Sequence, residues 1–302
     1  MSTQSVLYDA PGPKAKARNW IYTVLFLLVL LLVAWFVYTG FDEKGQWAGA
    51  LWKPFIEGST WTQFLLPGLL KTLEAAALSI VIALPIGALL GIGRLSQHKW
   101  VRIPVGAVVE FFRAIPVLLL MVFGAALYAY YTPIEADTRP LFAAVTGLVL
   151  YNGSVMAEVF RAGILSLPKG QTEAASALGL RKTQTMVNVL LPQAVTLMLP
   201  ALVSQLVVIL KDTALAGQLT IGYDELIRAS GPITGNFNNT IPTLIVIAII
   251  FIVLNLLLSW FASWLERRLS RRKKAPRGAK PLEAAPAAVT AATDFNTGNS
   301  SA

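Results

Sequence analysis

Two Glu–Arg pairs stand inside otherwise apolar stretches of the chain: Glu110 with Arg113, and Glu158 with Arg161. The members of each pair are three residues apart, so on a helix they share a face and can neutralise each other. Charge inside an apolar span is costly, and where it is kept it serves helix register or a polar pathway. Asn152, Gln193, Ser204 and Gln205 also lie within apolar runs, and Lys211 and Asp212 adjoin at the end of one. Such groups either hydrogen-bond between helices or line a path for a solute whose own polar groups cannot go unpaired. The chemistry available to this set is reversible pairing with a polar solute rather than bond making. The sequence has no phosphate-binding glycine loop, no nucleophile elbow and no zinc spacing. With no cysteine and one histidine, His98, it offers no disulfide framework, Cys-ligated metal, iron–sulfur cluster or His cluster.

These residues must be positioned by membrane helices. Of 302 residues, 55% are hydrophobic and 14% charged, a balance that points to a polytopic membrane protein. The net charge of +9 does not imply nucleic acid, because the basic residues form short clusters beside apolar runs. Apolar runs at residues 21–39, 65–92, 104–131, 141–165, 187–210 and 241–262 predict about six spans in an all-α chain. The first reads as a retained helix rather than a cleaved leader, since its apolar run is long and no clean small-residue cleavage site follows. Basic clusters at Lys14/Lys16/Arg18, Arg94/Lys99/Arg102, Lys169/Arg181/Lys182 and Arg267–Lys274 fall on one side of those spans. By the positive-inside rule that side, with both termini, is cytoplasmic. The resulting division is a tail at 1–19, an extra N-terminal helix at 20–39, an external loop at 40–64, a five-helix core at 65–262 and a tail at 263–302. That last tail is basic, then rich in Ala, Pro and Thr; it reads as disordered, with cations suited to a lipid surface.

Between the fourth and fifth spans lies a polar loop, 166–186, at whose heart is GQTEAASALGLRKTQTMVNVLLP, Gly170–Pro192. Pro168 suits a helix start, and Gly179 a helix stop. Ala174, Ala177 and Leu178 share one face, opposite Lys169, Gln171 and Thr172. Thr183 can cap the following helix. The spacing predicts a small amphipathic helix at a membrane surface, which can lie on lipid or dock in a partner's groove.

The wording of this loop resembles the Glu-Ala-Ala signature of permease subunits of ATP-binding-cassette importers: Glu173-Ala174-Ala175, then Gly179, then Val189-Leu190-Leu191-Pro192. Further stretches are similar to the polar amino acid branch of that family. They are Arg113-Ala114-Ile115-Pro116, Ala157-Glu158 through Arg161-Ala162-Gly163-Ile164, and Lys211-Asp212-Thr213-Ala214-Leu215. The wording at Tyr151-Asn152-Gly153-Ser154 is most like actinobacterial glutamate-uptake permeases. Leu120, Ser204 and Gln205 depart from the glutamine and Asn-Glu that many relatives carry.

The resemblance implies a type I importer permease fold with a cytoplasmic coupling helix, in a bacterial cell membrane. It implies as partners a second permease subunit, two ATPase subunits carrying ATP-Mg and an external solute-binding protein, with no cofactor on this chain. Gly170, Gln171, Glu173, Ala174, Ala175, Ala177, Leu178 and Gly179 would contact the ATPase. Arg113, Asn152, Glu158, Arg161, Ser204, Gln205, Lys211 and Asp212 are candidates for a solute pathway or gate. For the ion pairs the alternative is a scaffold fixing helix register. A self-coupled secondary carrier is the rival function, although six unequal spans show no internal hydropathy repeat. Within the same importer type the resemblance favours glutamate as cargo, with glutamine, arginine and histidine as the alternatives.

Overall fold

A computed structural model describes residues 12–217 and 222–271, and all regular structure among them is helical. In chain order we label α1 Pro13–Glu43, α2 Gly58–Arg94, α3 Lys99–Ala114, α4 Val117–Tyr131 and α5 Arg139–Leu165. There follow α6 Lys169–Ala177, α7 Lys182–Gly217, α8 Ser230–Phe237 and α9 Thr240–Arg271. Helices α1, α2, α5, α7 and α9 are each long and apolar enough to cross a membrane. The tail expected at 263–302 lies outside the described residues from 272 onward, and residues 1–11 likewise.

The run 104–131 is not one straight helix. It breaks into α3 and α4, which meet at 100°. The cause is local: Ile115 precedes Pro116, whose ring excludes helical geometry for the residue before it, and Ile115 is extended at φ −89°, ψ 130°. α1 also begins earlier than expected, with Pro13 in its first turn, so Lys14, Lys16 and Arg18 are helical. Two π turns, Trp61–Leu65 and Met186–Leu190, interrupt α2 and α7. Each comes two residues before a proline, Pro67 or Pro192, where the missing N–H obliges the hydrogen-bond ladder to change register.

The core is organised around α5, whose inward positions Ala143, Ala144, Leu148, Met156 and Ala157 are fully buried. One cluster joins it to α2 and α7 through Ala83, Met198 and Ile209; another joins it to α4 through Met121. Small residues permit the close approach, as membrane helices require in the absence of a hydrophobic drive between them. A Cβ on Gly91 would stand 2.7 Å from both the Ala157 carbonyl and the Phe160 Cβ, and one on Gly87 2.6 Å from the Met156 Cβ. A third cluster, Leu65, Leu226, Ile233 and Ile247, closes the end of the bundle opposite α6. No residue of α1 is buried. It is tied at its C-terminal end by an aromatic stack, with Trp47 5.6 Å from Tyr38 and 6.3 Å from Trp52. From there one hydrogen bond, Asn239 Nδ2 to the Leu51 carbonyl, reaches the bundle.

Candidate functional site

The Glu–Arg pairs converge at the α6 end of the bundle, and a fifth charge joins them. Arg94, at the C-terminus of α2, bonds Glu158 on α5 and lies 3.1 Å from Glu110 on α3. Arg113 stands 3.5 Å from Glu110 and 3.9 Å from Glu158, while Arg161 donates to Glu158 at 2.7 Å. Three guanidiniums and two carboxylates leave one positive charge in excess. Arg94 is the most enclosed, its side chain 15% exposed, whereas Glu110 is 60% exposed. The α3–α4 elbow lays α3 across the bundle end and so brings Glu110 and Arg113 over the end of α5. Sequence reading missed Arg94 as a member because a basic residue ending an apolar run also satisfies the topology rule. Its last-turn position on α2 was the available signal.

Six residues before Glu158, about 9 Å along the helix axis, Asn152 is completely buried. Its amide nitrogen donates to the Leu148 carbonyl, and its oxygen accepts from Gln205 on α7. Asn152 also faces the Asp212 carboxylate. A polar string thus bridges α5 and α7 in the interior, where unpaired amides would be costly. Ser204 does not join it: it is exposed and donates to the Pro200 carbonyl of its own helix. Lys211 and Asp212 form no ion pair either; Lys211 is exposed and Asp212 turns inward. Adjacent residues on a helix point about 100° apart, which accounts for the difference.

α6 is held by backbone geometry. Gly179 adopts φ +74°, its N–H bonds the Ser176 carbonyl, and the Leu180 N–H reaches back to Ala175. This paired closure requires a left-handed residue after the helix, which glycine supplies without a Cβ penalty. Ala175 is the buried face of α6; Gly170, Gln171, Glu173, Ala174, Ala177 and Leu178 are exposed, Leu178 at 81%. Thr183 is not the cap of the next helix. α7 starts at Lys182, and the Arg181 N–H is bonded by the Gln184 side chain. Two side-chain bonds fasten the loop to the bundle: Gln193 to Gln171 at 3.3 Å, and Lys182 to Gln97 in the α2–α3 turn at 2.7 Å. Glu173 pairs with no cation among the described residues. Among those residues no three His, Asp or Glu side chains converge as metal ligands.

Residues 83–271 match the family described as binding-protein-dependent transport system inner membrane component. The glutamate transport system permease protein GluD of Corynebacterium glutamicum is 48% identical over 207 residues, 68% of this chain and 75% of that one. The probable glutamine ABC transporter permease protein GlnP of Bacillus subtilis is 34% identical over 57% of this chain and 77% of its own length. The fold is similar to that of a crystallised amino acid ABC transporter with histidines. That match has TM-score 0.62 and 29% identity, covering 71% of this chain and 98% of the other. An all-α bundle with five helices long and apolar enough to cross a membrane agrees with those likenesses. The chain belongs to the binding-protein-dependent transport system inner membrane component family, as a permease of the amino acid ABC importer type.

Proposed function

We propose that this chain, paired with a second copy or a sister permease, forms the membrane pathway of an ATP-driven importer of a polar amino acid, with glutamate the favoured cargo. Two ATPase subunits, each binding ATP-Mg, dock on α6 from the cytoplasm, and an external solute-binding protein delivers the amino acid. The chain binds no nucleotide and no cofactor itself. Both termini and α6 are cytoplasmic, as the basic clusters favour. The observation that carries the reading is α6 itself: a helix capped rigidly at Gly179, fixed on one face by Ala175, and offering an apolar Leu178 that is 81% exposed. A helix presented in this way suits a groove on a partner.

The polar string Asn152–Gln205–Asp212 and the ion cluster around Arg94 serve as the pathway and its cytoplasmic gate. The glutamate permease likeness supports the cargo, and the excess positive charge of the cluster suits an anionic solute.

The test is reconstitution of the permease in proteoliposomes with its co-purifying ATPase and receptor. Uptake of labelled glutamate should require ATP and receptor and should resist uncouplers; excess glutamate should compete better than glutamine, arginine or histidine. Leu178→Asp should abolish ATPase co-purification while the permease still inserts. ATPase capture unaffected by Leu178→Asp would refute the docking face, and uncoupler-sensitive uptake without ATPase would refute the importer reading.

A further inference from the structure

At the end of the bundle opposite α6, Tyr223–Arg228 ties two helices together through one buried acid. Glu225 is 0% exposed and has no cationic partner among the described residues. Its two carboxylate oxygens accept from the Ile227 and Arg228 N–H groups at 2.9 Å each. The carboxylate lies on the backbone of Gly217, the last residue of α7, where any Cβ would collide with Oε1. Meanwhile the Leu226 N–H donates to Thr72 on α2 at 3.1 Å, and Tyr223 Oη donates to the Lys71 carbonyl at 2.7 Å. A Cβ on Gly68 of α2 would stand 3.0 Å from the Leu226 Cα, so backbone meets backbone there. Beside this junction opens a cleft of about 700 Å³, walled by Phe64, Gly68, Gly217, Asp224 and Arg228.

We infer that Glu225 is the positioning residue of an external latch, holding α2 against the end of α7 and controlling access to the interior from the receptor side. The inference rests on the importer reading. Separating α2 from α7 at this end must pull Leu226 off Thr72 or lift the carboxylate from Gly217, and either opening lets water reach the acid between them. An acid buried without a counter-charge makes that latch conditional rather than permanent.

Burial pushes the Glu225 carboxyl up to about 7, against the opposing pull of its two N–H bonds. Burial also raises the Tyr223 phenol, with the charges of Glu74 and Glu225 adding to the effect. The other charged or titratable groups around the junction are Lys71 and Glu74 on α2, Tyr128 on α4, and Asp224 and Arg228, which pair with each other. For a group raised in the closed state, the stabilisation is complete below its ordinary value and is lost as pH rises through the raised one. With an ordinary value of 4.5 once the latch opens, the closed-to-open ratio should fall about ten-fold between pH ~6 and ~8.

The chain has no cysteine, so a single introduced thiol reports cleanly. Ala75 is fully buried beneath Tyr223, and Ile56 is 86% exposed. In the reconstituted complex, labelling of Ala75→Cys by an impermeant maleimide from the receptor side is divided by that of Ile56→Cys, which removes the pH dependence of the reagent. The ratio should rise up to about ten-fold from pH ~6 to ~8. Adding Glu225→Gln should keep it low and flat, whereas Gly217→Ala should make it high at both values. Thr72→Val, which leaves the carboxyl untouched, should raise labelling while preserving the pH slope. A slope that persists with Glu225→Gln, or labelling unmoved by Thr72→Val, overturns the latch. A complex that hydrolyses ATP but transports nothing under any condition would instead defeat the importer reading, and the labelling would still decide the latch.

Discussion

Arg94 and Glu158, 64 residues apart in sequence, form the bond on which the α6-end ion cluster is centred. Glu158 receives three arginines, and both Arg94 and Arg113 bridge it to Glu110, Arg94 at the shorter distances. Removing an enclosed partner strands the opposite charge, whereas exchanging a whole ion pair for apolar groups can be nearly neutral.

Arg94→Ala should therefore lower the stability of the solubilised permease by about 2 kcal/mol. That is less than the ~3–5 kcal/mol of a fully buried pair, because water still reaches Glu110. Arg94→Lys should recover part of the loss, since an ammonium keeps the charge but is more strongly hydrated and lacks the rigid donor array of the guanidinium. Thermal unfolding of the three proteins, followed by transport assays on those that assemble, separates a structural loss from a gating loss. Equal midpoints for Arg94→Ala and the unaltered chain would contradict the cluster's role.

The interior string makes a non-additive prediction. Asn152→Leu alone leaves the Gln205 amide without its acceptor, and Gln205→Leu alone frees the Asn152 carbonyl; each should cost ~1–3 kcal/mol. The double change removes both polar ends and should cost less than the two single changes together, by ~0.5–3 kcal/mol of coupling. If Asn152 and Gln205 also meet solute, transport will be lost in the double variant even where stability returns. A double-mutant cycle in unfolding midpoint, paired with uptake, measures both quantities.

Gly179 gives the sharpest test of transmission. At φ +74° with open space around its Cα, a substituent meets no neighbour but must take a left-handed conformation. Gly179→Val should cost ~1–2 kcal/mol locally and release the Ala175 and Ser176 carbonyls from the helix end. Insertion and bundle stability should stay within ~0.5 kcal/mol of the unaltered chain, because the site is on the surface. The number of solute molecules moved per ATP should fall several-fold. An unchanged ratio would show that α6 does not transmit through this cap.

What could be read from sequence was local. Gly179 and the helix it ends, the i, i+3 ion pairs and the long apolar runs each carry their cause within a few residues. Pro116 was also local, yet an apolar run on both sides masked the rule that ends a helix before proline. Arg94 and Glu225 were not legible, because their meaning comes from partners brought in by packing. Arg94 looks like any basic flank until α3 folds across the bundle end. Glu225 looks like part of a polar turn until Gly217 is seen to leave room for its carboxylate. Ala175 differs from Ala174 only in which way α6 is rolled, a tertiary choice that a short, mostly polar helix does not encode.

The elbow at Ile115–Pro116 also sets the protein's relation to its solvent. α4 has 15 residues and so is about 22 Å long, against a hydrocarbon thickness of ~30 Å. α4 alone thus falls short of the hydrocarbon layer, and the shortfall lies at its Pro116 end, where α3 turns aside. Shorter acyl chains should favour this arrangement, so bilayer thickness becomes a variable that transport assays in defined lipids can read.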